Sequence, residues 1–301
     1  MKNAQTIITI IVLILLGVGA YFFFSDSSTV VNSDNSDQEM ATDTPATSTD
    51  DASTSTDEMG DETGSETSTA NQIVIGSSVE GRDITAYEYG SGDTQLLFVG
   101  GIHGGYEANT IRLAQAVIDE FHTNPDTIPD SVTVHIIPNL NPDGYTLPST
   151  ATDAQRRFNA NSVDLNRNFD CRWQPTGTWR GVTMSAGTAP FSEPEAATLR
   201  DYVAQINPNA AVFWHSAANE VFTSECGNGV LPSTDLLMNA YAPAANYRAA
   251  GLWTAYPITG DAEGWLASLG IPAITVELET RDSIEWERNW AGVLAILELY
   301  R

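Results

Sequence analysis

Several residue types are scarce in this chain of 301 residues. It has one lysine, four histidines and two cysteines, and its 13 basic residues face 39 acidic ones, which gives a formal charge of −26. So large an excess of negative charge argues against nucleic acid or an anionic membrane surface as a partner, because both would repel the protein. No C-x-x-C motif occurs, so the sequence indicates neither a zinc knuckle nor a redox pair.

The longest apolar run lies in residues 1–24. Residues 7–24 carry no charge, and about 18 apolar residues are enough to cross a bilayer as a helix. Lys2 precedes the run and acidic residues follow it, which predicts that the rest of the chain lies outside the cytoplasm. We expect a single-pass anchor in the cell membrane. The alternative is a signal peptide whose cleavage would release a secreted protein, but Tyr21 and three phenylalanines stand where small residues would precede the cut.

Residues 25–71 form a linker between this segment and the rest of the chain. They contain 12 acidic residues, no basic residue and few large apolar ones. Such a segment cannot bury enough apolar surface to offset the entropy lost on ordering, so we expect an extended, disordered tether. In an exported protein Cys171 and Cys226 are expected to form a disulfide bond; two free thiols are the alternative.

Residues 72–301 have the patterns of a globular domain. Apolar runs predict strands at 95–99, 132–137, 210–214 and 274–278, and helical spacing predicts helices at 107–121, 193–206, 235–249 and 283–299. The closely spaced runs at 73–75 and 84–89 are expected to pair antiparallel at an edge. Strands that alternate with helices predict an α/β fold with a sheet that is largely parallel inside.

Two of the four histidines stand where α/β proteins place their sites. His103 and His215 each come just after a predicted buried strand, and Glu107 follows His103 by four residues. Two imidazoles and one carboxylate are a common zinc set that leaves a fourth position open. His122, at a helix end, and His135, inside a strand, are interpreted as structural residues.

A carboxylate in a buried strand needs a function or a partner, because burying a charge is costly. Glu277 stands in the apolar sequence Ile-Thr-Val-Glu-Leu and could exchange a proton with water and a leaving amine. The alternative is an inward-facing glutamate paired with an arginine. Glu279 is the rival base, unless the strand ends before it.

An arginine-rich segment at 156–169 is the third element that points to chemistry. Its sequence is Arg-Arg-Phe-Asn-Ala-Asn-Ser-Val-Asp-Leu-Asn-Arg-Asn-Phe, in a domain that is otherwise acidic. A guanidinium group can bind both oxygens of a carboxylate, and one near a metal can stabilise an oxyanion. The segment therefore predicts recognition of a carboxylate beside the metal.

Together these segments resemble the zinc carboxypeptidase family, the metallopeptidases related to pancreatic carboxypeptidase A. The closer likeness is to bacterial members that include murein peptide amidases and γ-D-glutamyl-diaminopimelate peptidases. Nearly all of residues 72–301 are covered, in six segments that keep the family's order: 81–84, 100–104, 138–144, 163–169, 214–216 and 276–278. The resemblance implies a single catalytic domain with a mixed, centrally parallel twisted sheet flanked by helices, and one zinc ion.

The resemblance also implies which residues perform the chemistry. His103, Glu107 and His215 match the zinc ligands. Arg157 matches the arginine that polarises the scissile carbonyl, and Glu277 matches the general base. One difference concerns the first two ligands, which the family spaces as His-x-x-Glu, whereas this chain has one residue more; two adjacent glycines are expected to absorb the insertion.

Four further residues match positions that bind the substrate. Asn166 and Arg167 match the pair that holds the terminal carboxylate, and Tyr256 resembles the mobile tyrosine that closes over the substrate. Glu263 falls at the position that lines the side-chain pocket, where a carboxylate would attract a cationic group.

We therefore expect an extracytoplasmic zinc metallocarboxypeptidase that removes C-terminal residues from peptides, with a preference for basic or amine-bearing ends. One alternative keeps the metal site but changes the substrate to a murein peptide cut next to diaminopimelate. A second alternative is an inactive peptide-binding module on a tether. A serine hydrolase is disfavoured because no Gly-x-Ser-x-Gly motif occurs.

Overall fold

The computed structural model describes residues 71–301. The anchor predicted at 7–24, and all but the last residue of the linker predicted at 25–71, lie outside the described residues. Within 71–301, no helix is both long and apolar enough to cross a membrane.

Ten strands occur in the described part of the chain, and eight of them form one sheet. The strands are β1 (Asn71–Ser77), β2 (Asp83–Gly90), β3 (Thr94–Val99), β4 (Val132–Ile137), β5 (Thr176–Trp179), β6 (Val182–Ser185), β7 (Ala210–Ser216), β8 (Glu220–Thr223), β9 (Arg248–Gly251) and β10 (Ala273–Leu278). The large sheet has the order β1-β2-β4-β3-β7-β10-β8-β9, while β5 and β6 form a separate hairpin.

The centre of the large sheet is parallel and most of its outer pairs are antiparallel. β3 runs parallel to both β4 and β7, and β7 runs parallel to β10. Toward the edges, β2 pairs antiparallel with β4 and with β1, and β8 pairs antiparallel with β10. The mixed, centrally parallel α/β fold and the antiparallel pair at one edge are thus confirmed.

Helices cover both faces of the sheet. They are α1 (Ala108–Thr123), α2 (Pro142–Thr146), α3 (Asp153–Arg157), α4 (Pro194–Ile206), α5 (Pro232–Ala244), α6 (Ala262–Ser268) and α7 (Trp286–Leu299). Short 3-10 turns at Gly104–Glu107, Pro125–Thr127 and Leu165–Arg167 complete the described helical elements.

The central strands are buried on both faces, which explains their continuous apolar runs. Phe98, Trp214 and Val276 face the layer of α1, α5 and α7. The alternate residues Leu97 and Phe213 face the layer of α4 and α6. Because side chains alternate along a strand, His215, Thr275 and Glu277 lie on this second face, which therefore contains the polar positions of β7 and β10.

The helix predicted at 235–249 is wrong in its second half. α5 spans Pro232–Ala244, and the chain then turns into β9. Pro243 lies in the last turn of α5 and cannot continue its hydrogen-bond ladder, and Asn246 adopts a left-handed backbone with φ of 53°. The short strands β5, β6, β8 and β9 were not predicted, because four residues carry too little periodicity.

The parallel centre brings the predicted site residues to one end of the sheet. His103 follows β3, while His215 and Glu277 occupy adjacent register positions near the ends of β7 and β10. Since the carboxyl ends of parallel strands share an edge, residues more than 100 positions apart in the sequence meet there.

Candidate metal centre

The turn after β3 places His103 and Glu107 side by side. Gly104 and Gly105 open the 3-10 turn Gly104–Glu107, and a Cβ on either would lie within 3.0 Å of backbone oxygens. Gly104 also has a positive φ of 46°, which favours glycine. The extra residue between the two ligands is therefore absorbed by the glycine pair, as expected.

Three buried side chains converge on one point. Nδ1 of His103 lies 3.0 Å from Oε1 of Glu107, and Nδ1 of His215 lies 3.2 Å from Oε2 of the same carboxylate. The two Nδ1 atoms are 3.2 Å apart. All three residues are less than 5% exposed. Within residues 71–301 this trio is the group of histidines and acids whose ligand atoms are close enough to hold a metal ion.

These separations fit a tetrahedral zinc ion. Zinc–nitrogen bonds of about 2.0–2.1 Å at tetrahedral angles place two ligand nitrogens about 3.3 Å apart, close to the 3.2 Å between the two Nδ1 atoms. Oε2 of Glu107 is also buried without a hydrogen bond from the described residues, although a histidine nitrogen is near. A buried carboxylate oxygen without a partner is costly, and a shared cation would satisfy it.

Asp164 lies behind His103 and links it to Arg157. Its Oδ1 is 3.4 Å from Nε2 of His103, and its Oδ2 accepts a hydrogen bond of 2.9 Å from Nε of Arg157. Arg157 NH1 is also 3.5 Å from Oε1 of Glu107, which places this predicted catalytic arginine beside the ligand set. Asp164 is fully buried, and it is a site residue to which the sequence patterns assigned no role.

Glu263 lies behind His215 in the same way. Its Oε1 is 3.2 Å from Nε2 of His215 and accepts a hydrogen bond of 2.9 Å from Thr275. The side chain is only 2% exposed. Sequence reasoning placed Glu263 in the pocket for the substrate side chain; the structure does place it on the cleft wall, but with its carboxylate against a predicted metal ligand.

Charge neighbours dominate the protonation of this cluster in the metal-free chain. Burial by itself lowers the pKa of His215, but the carboxylates of Glu107 and Glu263 on either side of the ring raise it to about 10. Burial opposes ionisation of Glu107 and Asp164, but His103 and Arg157 respectively outweigh it and hold both pKa values well below the usual range. Both carboxylates are therefore ionised and suited to bind or support a cation.

Glu277, and not Glu279, faces the cleft. Glu277 lies opposite His215 in the parallel pair of β7 and β10 and lines the cleft. Burial raises its pKa to about 7, and the negative charge of Glu107 adds to the effect. The strand ends at Leu278, so Glu279 turns outward to Arg288, with 3.2 Å between Oε2 and NH1.

The predicted substrate residues line the same cleft, whose volume is about 490 Å³. Asn166 and Arg167 are buried in the turn Leu165–Arg167, and Oδ1 of Asn166 accepts a hydrogen bond of 2.8 Å from the backbone N–H of Ala262. Arg167 donates to the backbone carbonyl of Asn166, and no carboxylate forms an ion pair with it within residues 71–301. Tyr256 lies at the cleft mouth, 36% exposed, with its ring 5.1 Å from that of Trp253.

Arg281 is a cleft residue that the sequence patterns did not indicate. It follows β10, donates to the backbone carbonyl of Ser216 at 3.0 Å, and stacks over Tyr106 with 4.3 Å from Cζ to the ring centroid. No short motif marks it, because only the turn after β10 brings it back over the site.

Two expectations outside the metal cluster also have structural counterparts. Cys171 and Cys226 are joined by a disulfide bond, which ties the segment after Arg167 to the segment after β8 at the cleft. His135 is buried between Tyr202 and Gln95, with 2.9 Å from Nδ1 to the hydroxyl and 2.7 Å from Nε2 to the amide oxygen. His122 is exposed in the last turn of α1.

The family model of the zinc carboxypeptidases (Peptidase_M14) matches residues 59–286, about three quarters of the chain. The chain belongs to the zinc carboxypeptidase family. The family is one of zinc metallopeptidases, and the trio of His103, Glu107 and His215 is a group that could bind this ion.

Similar proteins include both peptidases and a cell-wall enzyme. The chain is 29% identical to carboxypeptidase B of Astacus astacus over 155 residues, 46% of this chain and 51% of that protein. It is 26% identical to murein peptide amidase A of Escherichia coli (strain K12) over 214 residues, 67% of this chain and 78% of that protein. The chain spans about half the length, or less, of the first curated relatives that it matches.

A solved structure supports the zinc carboxypeptidase fold. The carboxypeptidase A of Helicoverpa armigera superposes with a TM-score of 0.65 at 21% identity, covering 77% of this chain and 69% of that one. At this identity the likeness concerns the fold.

Proposed function

We propose that this zinc carboxypeptidase family member is an active metallocarboxypeptidase that hydrolyses the last peptide bond of its substrates. One observation carries the proposal: the trio of His103, Glu107 and His215 shares a single cleft with a carboxylate base, Glu277, and with Arg167, a buried arginine. The cleft therefore contains a group for each task of the reaction.

The carboxylate of the substrate's C-terminus sets the position of the bond that is cut. Arg167 has a buried guanidinium without an acidic partner in the described chain, so an incoming carboxylate can bind it with two hydrogen bonds. Asn166 is held rigidly beside it by the hydrogen bond from Ala262. Tyr256, at the cleft mouth, can close over the bound end.

Proton transfer is assigned to Glu277. Zinc bound by the trio supplies a Lewis acid and makes water more acidic. Glu277 takes a proton from the attacking water and delivers it to the nitrogen that leaves, so that a carboxyl group and an amine result. Arg157, beside Glu107 and tied to Asp164, places positive charge where the carbonyl oxygen becomes negative.

We further propose a preference for cationic C-terminal residues. Asp261 and Glu263 both line the cleft, and burial together with the charge of Glu263 raises the pKa of Asp261 to about 6. Oδ1 of Asp261 has no hydrogen-bond partner among the described residues. A lysine, arginine or diaminopimelate amine beside it would neutralise this concentration of negative charge.

The site is proposed to act outside the cytoplasm. Two features support this location: the apolar run at 7–24 and the disulfide bond between Cys171 and Cys226, since such bonds persist in oxidising compartments. Protease protection of the chain in intact cells, compared with opened cells, tests it. Full protection in intact cells would contradict the proposal, whereas recovery in the membrane pellet would favour an anchor over a secreted form.

A substrate panel tests the activity. Purified protein with added zinc is incubated with peptides that end in Lys, Arg, Phe or Leu, and released amino acids are quantified. We expect hydrolysis that a chelator abolishes and zinc restores, with faster release of Lys and Arg. Stoichiometric zinc without hydrolysis of any peptide would instead favour a peptide-binding module.

A second candidate substrate is a murein peptide. The alignment with murein peptide amidase A covers 78% of that protein, and the acidic wall of the cleft suits the free amine of diaminopimelate. A murein tripeptide assayed beside the ordinary peptides separates the two candidates. A kcat/KM that is higher on the tripeptide than on every C-terminal lysine peptide would assign the chain to cell-wall peptides.

A further inference from the structure

Both metal-facing histidines have a buried carboxylate at the opposite ring nitrogen. His103 directs Nδ1 toward Glu107 and Nε2 toward Asp164, while His215 directs Nδ1 toward Glu107 and Nε2 toward Glu263. The two pairs differ in geometry: Nε2 of His215 is within hydrogen-bond distance of Glu263 at 3.2 Å, whereas Nε2 of His103 is 3.4 Å from Asp164 and has no hydrogen-bond partner among the described residues. The pair of His103 and Asp164 joins the turn after β3 to the arginine-rich segment, whereas the pair of His215 and Glu263 joins β7 to α6.

Glu263 is held in place from several sides. It stands in the first turn of α6, whose N-terminus is capped by Asp261 through a hydrogen bond of 2.8 Å from the backbone N–H of Gly264. Thr275, on β10, donates to the same carboxylate oxygen that faces His215. The residue before Glu263, Ala262, donates its backbone N–H to Oδ1 of Asn166. The start of α6 therefore contacts a metal-facing histidine through Glu263 and a predicted substrate residue through Ala262.

A neutral imidazole has one N–H and one lone pair, and the hydrogen bond that it donates decides which nitrogen is free for a metal. A carboxylate at Nε2 keeps the proton on that atom and leaves the lone pair on Nδ1. It also stops the ring from rotating and makes the free nitrogen more basic. His215 has such a carboxylate 3.2 Å from Nε2, within hydrogen-bond distance, and both side chains are only 2% exposed.

We propose that Glu263, supported by Thr275, is a positioning residue for His215 that tightens zinc binding. Oε1 of Glu263 accepts a hydrogen bond from the Nε2–H of His215, and the hydroxyl of Thr275 donates to the same oxygen and fixes the carboxylate. The inference rests on the zinc site of the proposed function, but it concerns metal affinity and not hydrolysis. It also separates Glu263 from Asp261, whose unpartnered oxygen is left as the acid for a substrate cation.

The experiment measures zinc affinity directly. Full-length parent protein and the variants Glu263→Gln, Glu263→Ala and Thr275→Val are titrated with zinc against a chromophoric chelator. We expect the dissociation constant to rise about 10-fold for the glutamine variant and up to about 100-fold for the alanine variant, the range for lost outer partners of metal ligands. Thr275→Val keeps the side-chain shape and is expected to give a smaller rise.

A matched control separates positioning from general damage. Glu195 is also fully buried, in α4, where it accepts hydrogen bonds from the Val79 N–H and from Asn159. Glu195→Gln therefore removes a buried charge away from His215, and its zinc dissociation constant should equal that of the parent. Cobalt-loaded protein gives a second readout, because a reoriented His215 changes the visible spectrum, whereas a stability defect alone does not.

The outcomes are distinguishable. Zinc affinity and a cobalt spectrum in Glu263→Gln that match those of Glu195→Gln would overturn the inference. If Glu263→Ala does not fold, the glutamine and Thr275→Val variants decide it. A parent that binds zinc tightly but hydrolyses no peptide would contradict the proposed function and leave this inference standing, because the affinity measurement needs no turnover.

Discussion

His135 and His215 are two buried histidines of the same sheet with opposite electrostatic surroundings. His135, in β4, bonds to the hydroxyl of Tyr202 and the amide oxygen of Gln95, and burial lowers its pKa to about 4. His215, in β7, lies between Glu107 and Glu263, whose carboxylates overcome burial and raise its pKa to about 10. Both side chains are almost inaccessible.

The difference between them shows that burial alone does not identify a functional histidine. The carboxylates around the ring do, because they favour a positive charge at that position, whether a proton or a metal ion supplies it. His135 has a carboxylate only at a distance, with 3.7 Å between Nδ1 and Oε2 of Glu88. Neutral partners are sufficient for a structural histidine, which only has to pack in the core and have its ring nitrogens hydrogen-bonded.

The largest expected effect is on the base beside His215. Glu277→Gln should lower kcat by about 10²- to 10⁴-fold, because the amide cannot accept a proton, while bound zinc stays near one per chain. Steady-state kinetics and metal analysis measure both quantities. Glu279→Gln is the matched control two residues away, where the side chain faces Arg288, and it should retain full activity. A fully active Glu277→Gln protein would remove Glu277 from the role.

Exchanging the two histidines for asparagine tests the comparison itself. His215→Asn should weaken zinc binding by more than about 100-fold, beyond the range for outer partners, because a ligand atom is lost. His135→Asn should bind zinc as the parent does, since its ring bonds only to Tyr202 and Gln95. Isothermal titration of both variants measures this. An equal loss of zinc affinity in the two variants would mean that the affinity depends on the integrity of the sheet and not on His215 as a ligand.

The low pKa of His135 predicts that acid destabilises the fold. In the unfolded chain this histidine takes up a proton near pH 6.5, whereas in the folded chain it does so near pH 4. The unfolded state therefore binds more protons between these values, and stability is lost as the pH falls from 6.5 to 4, by about 3 kcal/mol.

Denaturant unfolding at pH 7 and pH 4 measures this loss in the parent and in His135→Gln. The variant has no ionisable group at this position, so its loss of stability over the same range should be about 3 kcal/mol smaller. Carboxylates and the metal site contribute to both proteins and cancel in the difference. An identical loss would show that His135 is protonated in the fold, which its neutral partners argue against.

The smallest expected effect concerns the substrate side chain. Asp261→Asn should reduce the ratio of kcat/KM for Lys over Phe ends by less than about tenfold, because one partly hydrated ion pair contributes about 1 kcal/mol or less. Asparagine also caps helices, so α6 should keep its start. Competition assays with mixed peptides measure the ratio. A ratio near one in the parent would contradict the acidic pocket altogether.

Much of the fold could be predicted from the periodicity of apolar residues in the sequence. The strand predicted at 132–137 coincides with β4, and the predictions at 95–99 and 274–278 are each within one residue of β3 and β10. These strands are largely buried on both faces and flanked by helices of clear periodicity, so local pattern and tertiary burial agree. The prediction at 235–249 was wrong after residue 244 because alanines on both sides of Pro243 continue a helical composition where the backbone turns.

The site could be predicted from the sequence only in part, because sequence patterns are local. Strand ends and short motifs indicated His103, His215, Glu277 and the arginines, because each stands within a local pattern. Asp164, Thr275 and Arg281 were not assigned roles, since their importance comes from neighbours far away in the sequence. Glu263 was placed in the cleft by spacing, but its contact with His215 arises because α6 packs on β10, the strand next to β7.

The sequence by itself determined the longer elements of this protein: which segments form the long strands, which histidines end them, and where glycines follow His103 before Glu107. These depend on local patterns of burial and backbone freedom that any nearby stretch of chain reveals. Only the tertiary structure decided how each imidazole is used. The carboxylates of Asp164 and Glu263 lie 3.4 and 3.2 Å from Nε2 of His103 and His215, and such contacts arise only when distant elements pack together.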